Sequence, residues 1–101
     1  KELFVDYGIW SSDGAYHYHM IKDETFYIIS GYLQLDYVDG SNFKTVILGP
    51  GESFRVFPYT SHRFTSASRG GCKFIEASTF HSDDDSYRCR WDIGKNEWVE
   101  V

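Results

Sequence analysis

The sequence predicts an all-β domain, and three observations carry that reading. Short runs rich in β-branched and aromatic residues recur along the chain, broken by turn residues about every eight to twelve positions. No window of about eleven residues holds an apolar 3.6-residue period, so helices should be few or absent. Aromatic residues make up 19% of the 101 positions, so large rings must supply much of the buried area. The length suits one compact domain with a modest core, read here as 1–101, with the core at 1–80 and a C-terminal extension at 81–101. Many short strands in so small a domain point to a sandwich, jelly roll or barrel.

In chain order, strands are expected over 2–7, 15–19, 25–30, 32–38, 43–48, 53–57, 62–66 and 72–79. Residues 38–42, "VDGSN", make a hairpin signal, because Asp39-Gly40 suits a tight turn that needs positive φ. "GPGES" at 49–53 and "SRGGC" at 68–72 are further turns. Beyond them the three consecutive aspartates at 83–85 read as a solvated loop. "NEWVEV" at 96–101 reads as a final strand, with Trp98 as its packing anchor.

Composition narrows the partners. A net charge of −5, with ten Lys/Arg scattered rather than clustered, argues against nucleic acid. A mean hydropathy of −0.43 and the lack of any long apolar run argue against a membrane helix. The start, "KELFVDYGIW", has no basic segment followed by an apolar one, and the absence of an initial Met suggests a trimmed or partial chain. Cys72 and Cys89 are too few for a disulfide scaffold and lack paired metal spacing, so reduced thiols in a cytoplasmic protein are expected.

The chemistry concentrates in "HYHMIKDETFYIISG", 17–31. Residues i and i+2 of a strand share a face, so His17 and His19 project together and can chelate one ion. Glu24 opens the next strand and can turn back toward the pair, while His62 begins a later one. Three neutral imidazoles and a carboxylate suit one divalent transition metal, Zn, Mn, Fe or Ni, with open positions left over. A lone H-x-H pair would be merely exposed; the glutamate and the third histidine, both at strand starts, are what favour a site.

These residues resemble the cupin motifs. The first motif, G-x5-H-x-H-x3-4-E-x6-G, is matched by His17, His19, Glu24 and Gly31, with Ser11 at the leading glycine. The second, G-x5-P-x-G-x2-H-x3-N, is matched by Gly51 and His62, with Phe57, Tyr59 and Ser66 at the proline, second glycine and asparagine. The resemblance implies a double-stranded β-helix, or jelly-roll barrel, with His17, His19, Glu24 and His62 as metal ligands. A weaker similarity to the cupin module of type II mannose-6-phosphate isomerases rests on Lys1, Leu3 and Val5, then Ile75, Glu76, Asp83 to Asp85 and Arg88. It implies a carbohydrate setting.

A sugar isomerase or epimerase needs a Lewis acid and a base. Glu76 is the candidate base. Strand parity groups it with Phe74 and Ser78, and a charged residue among β-branched neighbours is otherwise an exposed strand position. The expected pocket lining is Phe26 and Ile28, which share the face of Glu24, together with Phe64 and Tyr59; rings in a small barrel also form its core. Lys22 and Arg63 could attract an anionic sugar but are expected at the surface. Tyr27 and Ile29 fall on the opposite face from Glu24, which suggests cover by a second copy and hence a homodimer. Two other functions fit the same ligand shell: an iron-dependent dioxygenase and a non-catalytic sugar-binding module.

Overall fold

The computed structural model describes residues 1–79, 85–92, 94–95 and 97–100. Ten strands run in the order β1 (Glu2–Val5), β2 (Tyr16–Tyr18), β3 (Glu24–Ser30), β4 (Leu33–Asp39), β5 (Asn42–Leu48), β6 (Ser53–Val56), β7 (His62–Ser66), β8 (Cys72–Ser78), β9 (Tyr87–Asp92) and β10 (Glu97–Glu100). Among the described residues there is no α-helix; Ser11–Gly14 forms one short turn in which Ser12 and Asp13 take left-handed φ values of 51° and 55°. The strands make two antiparallel sheets, β1-β8-β3-β6 and β10-β9-β2-β7-β4-β5, the arrangement of a jelly roll. All eight expected strands overlap β1 to β8, and "NEWVEV" overlaps β10. β9 was not expected, and it enters the larger sheet beside β2.

Alternation explains the core. Leu3 and Val5 of β1, Phe26 and Ile28 of β3, Leu33 and Leu35 of β4, Val46 and Leu48 of β5, and Cys72 and Phe74 of β8 turn inward. Their rings interlock: Phe26 lies 5.8 Å from both Phe64 and Phe74, and Phe64 lies 5.3 Å from Phe74. Gly31 closes β3 at φ 74°, where a Cβ would press on the Gly71 carbonyl and the Ser68 hydroxyl. Only glycine combines that backbone angle with that approach. On the outside of the larger sheet the Arg63 guanidinium lies between the rings of Trp10 and Tyr16 and pairs with buried Asp36 at 3.1 Å. Arg63 is therefore a structural cation on the face opposite His62.

Candidate metal centre

Strand pairing assembles the site. His17 of β2 lies directly across from His62 of β7, with ring centroids 4.3 Å apart. His19 follows on the same side of the chain, 5.3 Å from His17 and 5.9 Å from His62. Glu24 reaches in from the first position of β3 in the other sheet. One donor atom from each of His17, His19, Glu24 and His62 falls within 4.8 Å of all the others. His19 Nε2 is 3.0 Å and His62 Nε2 is 3.3 Å from Glu24 Oε1. The structure thus brings together all four residues expected as ligands.

The far side of two rings fixes which nitrogen carries the lone pair. His19 Nδ1 donates to the Asp85 carbonyl at 2.6 Å, and His62 Nδ1 donates to the Thr60 carbonyl at 2.8 Å. Each Nε2 is then a lone-pair atom aimed at the centre, the arrangement that metal-binding histidines use. His17 Nδ1, His19 Nε2, Glu24 Oε1 and His62 Nε2 are all buried without a hydrogen-bond partner. Buried polar atoms are nearly always paired, so four converging donors without partners have the spacing and chemistry that a divalent cation satisfies. The donor set fits such an ion.

Electrostatics follow from burial. Desolvation, with help from neighbouring His62 and His19, pushes the His17 imidazole down to about 3, so it stays neutral and able to ligate. Burial lowers His19 as well, but Glu24 and the Asp85 carbonyl outweigh it and the net shift is upward. Burial alone would raise Glu24; the close approach of the His19 and His62 imidazoles outweighs it and holds Glu24 well below the usual carboxylate range.

Next to this set, Lys22 is buried, not at the surface. Its ammonium lies 2.9 Å from Glu76 and 3.6 Å from Glu24. Glu76 faces inward beside Phe74, mostly buried, and borders a cleft of about 420 Å³ lined also by Lys1, Lys22, Ala77 and Ser78. Burial and the Glu24 carboxylate push Glu76 up, and Lys22 only partly offsets them.

The residues expected to line the pocket part company. Phe26 is fully buried, its ring 6.3 Å from that of His62, and forms the floor of the site. Ile28 is part of the buried core, and Phe64, partly buried, packs against that core. Tyr59 is 68% exposed on the outer side, stacked 6.4 Å from Tyr18, with its ring away from the four donors. It enters through its backbone instead: its N–H donates to the His19 carbonyl at 2.6 Å while φ stands at 66°. The family motif has glycine there, and this chain adopts the glycine conformation with a tyrosine.

Asp85 was missed. It reads as part of a solvated acidic run; Asp83 and Asp84 lie outside the described residues, but Asp85 is buried and contacts the site. The similarity to sugar-processing cupins includes Asp85 in its acidic run, but nothing in the sequence ties it to His19, since that contact is through a backbone carbonyl.

The cupin-domain family model matches residues 10–78. This chain belongs to the cupin family. The match runs from the turn ahead of β2 to the end of β8 and leaves β1, β9 and β10 outside it. Comparison with curated protein sequences finds no match for this cupin. Among solved structures it is similar to the sugar 3,4-ketoisomerase QdtA from Thermoanaerobacterium thermosaccharolyticum in complex with TDP, at 16% identity and a TM-score of 0.72, covering 85% of this chain and 62% of that one. A 3,4-ketoisomerase from Helicobacter canadensis gives 15% identity and a TM-score of 0.72, covering 85% and 64%. Oxalate decarboxylase from Bacillus subtilis gives 18% and 0.75, covering 86% of this chain and 22% of that one. At these identities the likeness is one of fold, and this cupin spans about 62% of the QdtA chain.

Proposed function

We propose that this cupin binds one divalent transition metal through His17, His19, Glu24 and His62 and acts on a carbohydrate as an isomerase- or epimerase-like enzyme. The observation that carries the metal is the convergence of four buried, partnerless donor atoms within 4.8 Å. The sugar rests on the sequence similarity to sugar-processing cupins and on the fold shared with sugar 3,4-ketoisomerases.

When bound, the ion would supply Lewis acidity toward the carbonyl and hydroxyl oxygens of a substrate. The chain's own residues do the rest. The three imidazoles, kept neutral or hydrogen-bonded, hold their lone pairs on the centre, and Phe26 closes the floor against water. Glu76, made more basic by burial and by the Glu24 carboxylate and bordering the cleft, takes a proton from the carbon next to the carbonyl and returns it to the neighbouring atom. Lys22 holds Glu76 in place by its 2.9 Å ion pair. Two buried free thiols, Cys72 and Cys89, suit a reducing, cytoplasmic setting; burial pushes Cys72 up to about 11.

Metal analysis of protein purified without added metal, followed by deuterium uptake from solvent with a panel of sugars, tests this. Bound metal with exchange supports the isomerase. Bound iron with oxygen consumption would replace it with a dioxygenase, and bound metal with neither would leave a sugar-binding module. His62→Ala should weaken metal binding by at least about tenfold, since losing a ligand should exceed the loss from an outer partner; unchanged metal content would refute the ligand set.

The outer face of the smaller sheet presents Phe4, Tyr27, Ile29 and Ile75, all exposed and on adjacent strands β1, β8 and β3. We infer that a second copy covers it, giving a homodimer. Light scattering that finds only monomer at micromolar concentration would exclude that assembly.

A further inference from the structure

Asp85 ties the segment beyond the family match to the middle of the donor set. Its two carboxylate oxygens accept the backbone N–H groups of three successive residues: Met20 at 2.9 Å, Ile21 at 3.3 and 3.1 Å, and Lys22 at 2.9 Å. Its carbonyl accepts His19 Nδ1–H at 2.6 Å. One residue therefore grips the first three positions of the connection between His19 and Glu24, and it does so from 63 to 66 positions away in sequence. Three amides in a row pointing at one site make a small anion cradle, and the chain fills it with its own carboxylate. The remaining anchors lie at the two ends of the connection: Tyr59 N–H donates to the His19 carbonyl, Thr79 N–H donates to the Asp23 carbonyl at 3.1 Å, and Arg55 pairs with the Asp23 carboxylate.

We propose that Asp85 is a positioning residue for the four-donor centre, bracing His19 and the turn that delivers Glu24, so that metal affinity depends on a segment outside the core cupin motif. The inference rests on the metal reading above and adds to it a residue that neither motif contains. The carbonyl contact fixes the His19 tautomer and ring plane. The carboxylate contact fixes the length and path of the turn, and with it where Glu24 enters from β3. Partners of this kind change metal affinity by about tenfold to a hundredfold when removed.

The test uses zinc as probe, measured by competition with a chromophoric chelator, and the imidazole ¹⁵N shifts of metal-free protein. Asp85→Asn and Asp85→Ala should each weaken zinc by about tenfold or more. Because the carboxylate holds the segment that carries the Asp85 carbonyl, they should also release that carbonyl and turn the single Nδ1–H tautomer of His19 into a mixture, while His62, held by Thr60, keeps its own. Asp36→Asn breaks a buried pair on the opposite face of the larger sheet and should leave zinc affinity and both tautomers unchanged. Should Asp85→Ala fail to fold, Asp85→Asn carries the test alone. Zinc binding within about twofold of wild type with an unchanged His19 tautomer would overturn the proposal. A loss of affinity matched by Asp36→Asn would overturn it too, as a mere stability effect. If wild type binds no zinc, the metal reading fails, and the His19 tautomer in the metal-free variants still decides whether Asp85 is the brace.

Discussion

At the scale of single residues, the most exposed dependence is that of Glu24 and Glu76 on Lys22. Two carboxylates, side by side and mostly buried, share one ammonium. Removing one partner from a buried ion pair leaves the other charges uncompensated, which typically costs about 3–5 kcal/mol. Lys22→Met keeps the chain length and deletes only the charge, so metal-free protein should lose about 3 kcal/mol in urea unfolding. Saturating zinc should recover part of that loss, because a cation next to Glu24 then replaces the ammonium. The four donors were legible in the sequence because i, i+2 parity and strand starts are local properties. Lys22 was not: it lies in a short connection whose direction is set by Asp85, far along the chain, and composition makes a lysine there look like a surface residue.

At the scale of elements, the strands were readable wherever a turn residue with a conformational requirement stood between two alternating runs. Gly31 is the clearest case. Gly31→Ala forces a left-handed φ on a residue with a side chain and drives its Cβ into the backbone of the facing turn, so it should cost about 3 kcal/mol, read as a lowered urea midpoint with unchanged slope. β9 escaped the reading for a physical reason. Its sequence, "YRCRWD", mixes cations with rings, and no glycine turn announces it. Its place comes from pairing with β2, a partner 69 to 73 positions earlier that is only three residues long, and such long-range pairing leaves no local trace. The turn before His62 shows the opposite failure. The motif asks for glycine, and Tyr59 takes the same φ, so the departure altered the residue and left the geometry intact.

For the whole molecule, the buried histidines make stability depend on pH in a stated direction. His17 titrates near 3 in the folded chain against an ordinary value of 6.5. The unfolded chain therefore binds the extra proton first: stability is full above about 6.5 and falls as pH drops from there toward about 3. Glu24, held below its ordinary 4.5, adds to the same loss as pH falls below that value. His19, raised, contributes stability below 6.5 that disappears as pH rises through its folded value, so it does not offset the acid limb. Metal-free protein should lose about 1.4 kcal/mol per pH unit for each proton taken up. Urea midpoints measured at pH 7, 6, 5 and 4 in chelator, if flat, would refute the buried neutral His17.

The single rung between β2 and β7 has a mechanical meaning. Of the five junctions in the larger sheet, this one pairs only His17 with His62, whereas β4 and β5 meet along seven residue pairs. In its backbone pairing the sheet is thus two leaves, β10-β9-β2 and β7-β4-β5, joined by one step of the ladder, and that step carries two of the four donors. An ion held there would act as a rivet across the seam. Filling the centre would then add its strength at the thinnest step of the backbone ladder, where the two leaves meet.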